Sequence, residues 1–334
     1  MKTLAIVILN YNGRAHLETY LPSVVANLEG HELYIIDNGS TDDSIDFLNN
    51  NYSSIKQINL AVNVGFAQGY NDGLKKIEGQ YTHYLLLNSD VRLTPQCISP
   101  LLHRLQDEKI AAVQPKVLSD KKPSHFEHAG ACGGFIDKNA FPFCRGRIFD
   151  FCEEDLGQYN EAISVFWATG ACLMIKSKCF HDAGGFDGRF FAHMEEIDLC
   201  WRLQHAGYEI WVEPKSQVYH LGGGTLSYES ARKVFLNFRN NLFMLVKNET
   251  GNWILKLIRR MAWDGLAAFQ FMVKGKFTLV YQVFKAHMQL YTSFGYLYRQ
   301  RKSYENQRIK GRYSGNIVID HFLKKIKTFS DLRL

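Results

Sequence analysis

Cysteine is scarce and unpatterned in this chain. The seven residues, at positions 97, 132, 144, 152, 172, 179 and 200, are odd in number and never form a Cys-x-x-Cys pair. Neither a disulfide framework nor a zinc site is indicated, and a reducing, cytoplasmic compartment is the simplest reading. Long apolar runs are missing too: none reaches the roughly 18 uncharged residues that a bilayer span needs. The N-terminal MKTLAIVILNYNG ends its apolar run in Asn and Gly, not in a small-residue cleavage site, so it reads as a buried strand and not as a signal peptide. Acidic residues are nearly absent from one stretch. Residues 247 to 334 hold 17 Lys and Arg against 5 Asp and Glu, a net +12 that leaves −6 for residues 1 to 246.

What is present is an ordinary globular composition, 46% hydrophobic and 22% charged, which excludes disordered, collagen-like and low-complexity classes. At 334 residues the chain exceeds the roughly 250 to 300 at which single cores stop growing. The charge change divides it into a body of residues 1 to 246 and a basic, mainly helical segment of residues 247 to 334. Short Val/Ile/Leu runs at Leu4–Leu9, Leu33–Ile36, Ile55–Leu60, Tyr84–Leu87 and Ile110–Val113 alternate with amphipathic stretches near 15 to 28, 42 to 50, 66 to 78 and 95 to 107. Continuous apolar strands alternating with helices predict an α/β fold, a doubly wound, mostly parallel sheet. Residues 119 to 165 lack a clean period and read as a functional excursion or mobile loop. A strand over Phe166–Ile175, a helix over Glu195–His205 and short strands at Ile210–Val212 and Val218–His220 follow.

Ligands of such sheets sit outside the carboxyl ends of the strands. Those ends read Asn10-Tyr-Asn-Gly13, Asp37-Asn-Gly-Ser-Thr-Asp42 and Asn88-Ser-Asp90. One such turn is an ordinary helix cap; three in succession predict a ligand site. The glycines of Asn63-Val-Gly-Phe-Ala-Gln-Gly-Tyr-Asn71 fit neither the GxGxxG fingerprint nor a phosphate loop, which argues against a dehydrogenase or P-loop enzyme. Together with Ala168-Thr-Gly-Ala171, Gly184-Gly-Phe-Asp187 and Glu195-Glu-Ile-Asp-Leu199, these segments over residues 3 to 246 resemble a family-2 glycosyltransferase of the GT-A fold, in its rhamnosyltransferase-like branch.

The resemblance implies a nucleoside diphosphate sugar donor, with Asp37 on the base or ribose, Asn10 and Asn12 near the base edge, and Asn63 and Gly65 lining the donor loop. Gly69 is equally well explained by close helix–sheet packing, and Asp42 by capping. Asn88-Ser89-Asp90 stands where the family holds a divalent metal with Asp-x-Asp. Here Asn88 replaces the first acid, leaving Asp90 as the charged ligand for Mg²⁺ or Mn²⁺. His220, before the Gly222–Gly224 run, is a second candidate contact or a plain hydrogen-bonded histidine. An inverting transfer needs a general base, and a carboxylate among carboxylates has a raised pKa. The family pattern places the base at Glu196, with Glu195 the alternative. Asp198 joins this acidic cluster, or pairs with Arg202 one turn on. Thr169 and Gly170 border the acceptor in the resembling enzymes, or form a strand bulge. Arg145, Arg147 and Trp201 complete the weaker acceptor or phosphate candidates.

The basic segment interleaves Lys and Arg with Trp253, Ile258, Phe269, Phe277, Phe284 and Tyr291. Basic, aromatic amphipathic helices lie in membrane interfaces; the alternative is a helical pair packed on the body. No nucleic-acid-reading module is recognisable. The expected activity is sugar transfer to a glycan or polyprenyl-diphosphate-linked acceptor by a peripheral protein at the inner face of the cell membrane. A non-catalytic nucleotide-sugar binder or scaffold and a sugar nucleotidyltransferase are the rival readings.

Overall fold

The computed structural model describes residues 1–222, 230–301 and 309–332. The first half alternates as its pattern predicts: β1 (Lys2–Asn10), α1 (Arg14–Ala26), β2 (Glu32–Asp37), α2 (Ser44–Asn51), β3 (Lys56–Asn59), α3 (Phe66–Lys75), β4 (Tyr81–Asn88), β5 (Val91–Leu93), α4 (Ile98–Arg104) and β6 (Ile110–Ser119). Then come β7 (Gly134–Asp137), β8 (Pro142–Cys144), β9 (Arg147–Ile148), β10 (Phe151–Cys152), β11 (Ile163–Val165), β12 (Cys172–Lys176), α5 (Ser177–Asp182), α6 (Glu195–His205) and β13 (Glu209–His220). The C-terminal part holds α7 (Ala231–Asn248), α8 (Trp253–Val273), α9 (Phe277–Gln300), β14 (Arg312–Tyr313) and α10 (Ile317–Phe322).

The main sheet has the order β11-β13-β6-β12-β4-β1-β2-β3, with β5 on β13. β3, β2, β1 and β4 are mutually parallel, β6 is parallel to β13, and β12 runs antiparallel between β4 and β6. Side chains alternate across a strand, so both faces of β1 are apolar. Leu4, Ile6 and Ile8 face the core under Leu17 and Leu21 of α1, Leu48 of α2 and Ile98 of α4. Ala5 and Val7 face the core shared with Tyr70 and Leu74 of α3 and Trp201 of α6.

Four expectations change. Residues 119 to 165 are no mobile loop: they supply four strands of a second sheet, β10-β9-β8-β7-β14, packed around Phe135, Phe143 and Phe329, the last two with ring centroids 6.2 Å apart. The strand expected over Phe166–Ile175 starts only at Cys172, because the preceding stretch turns toward α6. The two short strands after α6 are one, β13, whose register shifts between Glu213 and Gln217. The charge change at residue 247 falls inside α7, and beyond it the chain stays in the body: β14 pairs with β7, and Arg312 pairs with Glu249. The cysteines are all free.

No helix among the described residues is long and apolar enough to cross a membrane. Yet α9 exposes Phe277, Tyr281, Phe284, Met288, Tyr291, Phe294 and Tyr298, a stripe of three- and four-residue steps, and α8 exposes Ile254, Ile258, Leu266, Phe269 and Val273. The face of this hairpin turned away from the body is apolar along most of its length.

Candidate active site

The parallel register sets Asn10 beside Asp37, and Leu9 beside Asn88, at the carboxyl edge of the sheet. The three polar strand ends therefore converge. The Asn10 amide donates to Asp37 Oδ2 (3.0 Å) and Ser40 Oγ (3.2 Å), and the Ser40 N–H donates to Asp37 Oδ1 (2.8 Å). Asn12, whose backbone has φ +48°, accepts the Thr41 N–H through its side-chain Oδ1 (2.7 Å), and its own N–H donates to Ser40 Oγ (2.9 Å). Asn10 Oδ1 is shut from solvent with no hydrogen-bond partner among the described residues. Asp42 caps as expected, accepting the N–H groups of Arg14 and Ser44.

The donor-side loop is built by its own side chains. Asn63 Oδ1 accepts the Gly65 N–H (2.9 Å) and an Asn38 amide proton (3.1 Å). Gly65 has φ +89°, and a Cβ there would lie 2.6 Å from the Phe191 ring, so only glycine fits. Gly69 serves packing: its added Cβ would sit 3.0 Å from Leu9.

Pairing of β5 with β13 brings Val91 opposite His220 and so sets Asp90 against the histidine. His220 lies between two carboxylates, with Nε2 3.1 Å from Asp90 Oδ1 and Nδ1 2.9 Å from Glu127 Oε2. Burial would lower the imidazole pKa; the two carboxylates overcome it and raise it to about 10. Burial raises and His220 lowers the pKa of both Asp90 and Glu127, with a net fall in each. A divalent ion suits this donor set. The 3.1 Å Asp90–His220 contact is a hydrogen bond, so the ion would take the place of the Nε2 proton, and Glu127 on the other ring nitrogen is the usual support of a metal-bound histidine. Among the described residues no group of three or more His, Cys, Asp or Glu could hold an ion alone, so phosphate oxygens and water would complete it. Of the Gly222–Gly224 run, Gly223 and Gly224 lie outside the described residues.

Glu195 and Glu196 open α6 after a strained loop. Phe191, His193 and Met194 all have positive φ, at 65°, 71° and 70°, a cost of order 1–3 kcal/mol each that surrounding contacts must offset. Asn240 of α7 supplies them, its amide donating to the carbonyls of Phe190, Ala192 and His193 at 2.7–2.9 Å, while Arg239 donates to those of Arg189 and Phe190. The loop touches the donor side through the Phe191 ring and through the Ala67 N–H, which donates to the Phe191 carbonyl. Oε2 of each glutamate is shut from solvent with no hydrogen-bond partner among the described residues. Burial raises the Glu196 pKa to about 7; burial and the Glu196 charge raise that of Glu195 further above the carboxylate range. A Cβ on Gly170 would stand 3.9 Å from Glu196 Cβ, so the Thr169–Gly170 turn borders this carboxylate, held by the Thr169 N–H donating to Gln114 Oε1 (2.9 Å).

Four candidates leave the site. Asp198 points into the body, where Arg202, Lys247 and Asn248 donate to it; burial raises its pKa, but these partners outweigh burial and hold it below the usual carboxylate value. Arg145 spends its guanidinium on the carbonyls of Cys132, Tyr159 and Glu161. Arg147 is buried in the second sheet on Cys144 and Phe149. Trp201 is a core side chain packed on Phe166. Sequence reading missed Glu127, Asn38, Ser40 and Asn240. Asn38 and Ser40 lie within the Asp37–Asp42 strand end, Asn240 belongs to the polar run Arg239-Asn-Asn241 of α7, and Glu127 leaves no local signal.

A profile of Glycosyl transferase family 2 matches residues 5–184, more than half the chain. The chain belongs to glycosyl transferase family 2. As a transferase of that family it is 23% identical over 264 residues to the N-acetylglucosaminyl-diphospho-decaprenol L-rhamnosyltransferase of Mycobacterium tuberculosis, spanning 75% of this chain and 86% of that enzyme. The fold is shared with GalNAc-T7 bound to UDP, GalNAc and Mn²⁺ (TM-score 0.58, 13% identity, 89% of this chain and 58% of that one). It is shared too with the mannosyltransferase PcManGT of Pyrobaculum calidifontis in complex with GDP-Man and Mn²⁺ (TM-score 0.50, 10% identity, 87% and 75%). The transferase is a glycosyltransferase of GT-A architecture, with the candidate cluster at the carboxyl edge of its sheet.

Proposed function

We propose that this transferase moves a rhamnose-type deoxyhexose from a nucleoside diphosphate sugar to a polyprenyl-diphosphate-linked glycan, with inversion, while lying on the cytoplasmic face of the membrane. The observation that carries the mechanism is Glu196: a carboxylate with a pKa of about 7, one oxygen unpartnered, standing beside the Gly170 turn. Glu196 takes the proton of the acceptor hydroxyl as that oxygen bonds to the anomeric carbon, and the bond from that carbon to the donor diphosphate breaks. One displacement inverts the centre. Burial and the Glu196 charge push the neighbouring Glu195 carboxyl well above the usual carboxylate range, so the two acids titrate as a pair. Asp37, Asn10 and Asn12 receive the nucleoside, and Asp90 with His220 would hold Mg²⁺ or Mn²⁺. When bound, that ion neutralises charge on the leaving diphosphate.

Support for the donor and acceptor comes from the Mycobacterium tuberculosis relative, an L-rhamnosyltransferase named for its N-acetylglucosaminyl-diphospho-decaprenol. Support for the membrane comes from the apolar outer face of α8 and α9 and the +12 segment that holds them. A thermal-shift screen of dTDP-, UDP- and GDP-sugars with and without Mn²⁺ tests the class, because a ligand of the native state raises the melting temperature. Absence of any nucleoside diphosphate binding overturns the proposal. Full transfer activity in both Glu196→Gln and Glu195→Gln overturns the base.

A further inference from the structure

Outside the strand-end cluster, one cleft combines charge, rings and position. It lies between α7 and α9, encloses about 410 Å³, and is lined by Phe191, Arg232, Phe235, Leu236, Arg239, Gln282 and Lys285. That volume falls within the roughly 300–1,000 Å³ of small-ligand sites. No acid lines it. Three cations face a common space, and each sits over a ring: Arg232 is 4.6 Å from the Phe191 centroid, Arg239 is 5.2 Å and Lys285 5.0 Å from that of Phe235. Arg239 feels Asp187 and spends its guanidinium on the Arg189 and Phe190 carbonyls, whereas Arg232 and Lys285 share the cleft as like charges whose repulsion a bound anion reverses. The rings and Leu236 give the same space an apolar wall. The matching ligand is amphipathic, a polyanionic head carrying an apolar stem.

Position narrows the role. Phe191 belongs to the strained loop that ends at Glu195 and Glu196, and its ring also closes on Gly65 of the donor side. Arg239 and Asn240 tie that loop to α7, so the cleft and the candidate base share one wall. On its other side, Lys285 stands four residues after Tyr281 and three before Met288, members of the exposed stripe of α9. An apolar chain leaving the cleft therefore meets the stripe.

We propose that this cleft holds the isoprenoid-diphosphate head of the acceptor, with Arg232 and Lys285 on the phosphates and Phe235 on the first isoprene unit. It rests on the transferase reading above and adds to it the place where the lipid head is seated, apart from the donor diphosphate at Asp90.

The test uses the full chain. Wild type is titrated with farnesyl diphosphate, inorganic pyrophosphate and farnesol, and farnesyl diphosphate is expected to bind at least tenfold more tightly than either part. Arg232→Glu/Lys285→Glu is expected to weaken farnesyl diphosphate at least tenfold while leaving Mn²⁺-dependent nucleoside diphosphate binding unchanged, and Arg232→Lys/Lys285→Arg restores most of the affinity. Phe235→Leu weakens it less, and serves if the double reversal does not fold. Equal affinity for pyrophosphate and farnesyl diphosphate overturns the inference. So does a double reversal that loses phosphatidylglycerol vesicles but keeps farnesyl diphosphate, because the cations would then serve the bilayer surface. Wild type that binds farnesyl diphosphate here, with loss on reversal, yet transfers no sugar to any lipid diphosphate, supports the cleft and overturns the functional proposal instead.

Discussion

Lys247 Nζ stands 3.0 Å from Asp198 Oδ2, and both side chains are buried. The first cation of the basic segment is thus a partner of α6, the helix that carries the candidate base. Lys247 also reaches Asp187 at 2.7 Å, and Tyr296 of α9 donates to the same carboxylate. This tie joins the basic segment to α6.

Removing one member of a buried pair leaves an uncompensated charge, at a cost of about 3 kcal/mol. Lys247→Met is therefore expected to lower the urea midpoint at pH 7 by that order, less whatever Arg202 and Asn248 recover. Asp198 has a depressed native pKa, so its stabilisation is present above its ordinary value near 3.8 and lost as pH falls through the native one. The deficit of Lys247→Met should shrink below about pH 4. A deficit constant from pH 7 to pH 3 contradicts the pairing.

Glu196 carries the opposite sign. Its native pKa, near 7, exceeds the ordinary 4.5, so the folded protein binds the proton more tightly and loses stability as pH rises from about 4.5 through 7. Glu196→Gln should be more stable than wild type at pH 8, on the order of 2 kcal/mol, and little different at pH 4. As a base, Glu196 acts ionised: wild-type kcat/KM should rise with pH and level above about 7, and Glu196→Gln should lose about 10²- to 10⁴-fold. A flat profile between pH 5.5 and 8 contradicts the role.

The sheet was legible because its strands are continuous Val/Ile/Leu runs, and α6 because Glu195–His205 begins in acids and ends before Gly207. The strand-end site followed, since parallel order alone sets Asn10 beside Asp37. The second sheet was not legible: strands of two to four residues carry no period, and β14 joins β7 across 170 residues and more of chain. Arg145 resembled a phosphate ligand because nothing local names the three carbonyls it meets. Glu127 left no signal, being 93 positions from His220. Asp90 and His220 were within reach of motif reading; the residue that orients the histidine was visible only once folded.

Glu127→Gln tests that orientation. Glutamine keeps the size and removes the charge that fixes the Nδ1 proton, and loss of such a support costs about 10- to 100-fold in metal affinity. Mn²⁺ titrated against the nucleoside diphosphate complex should show that loss, with metal-free nucleotide affinity unchanged. Equal Mn²⁺ affinity removes Glu127 from the site.

Asn240→Ala tests the strained loop. It frees three carbonyls that hold Phe191 and His193 at positive φ, so the loop before Glu195 relaxes. Misplacement by about an ångström costs on the order of 10²-fold in rate. The expected result is a fall in kcat with donor KM little changed, together with faster amide exchange at residues 191 to 196. Loss of melting temperature without loss of kcat would make Asn240 a packing residue only.

The outer stripe of α9 gives the last prediction. Phe284 and Tyr291 lie seven positions apart on one face, each 57–58% exposed. Returning such side chains to water after membrane insertion costs roughly 1.5–3 kcal/mol each, so Phe284→Ser/Tyr291→Ser should weaken binding to phosphatidylglycerol vesicles by about 10²-fold or more. Because both residues already face solvent, the melting temperature in buffer should hold. Salt separates the two sources of attraction: raising it weakens what the Lys and Arg supply and leaves the apolar part. The wild type should therefore keep residual vesicle binding at 0.5 M NaCl and the double variant none. Equal binding by both at either salt would leave the stripe exposed for some purpose other than lipid.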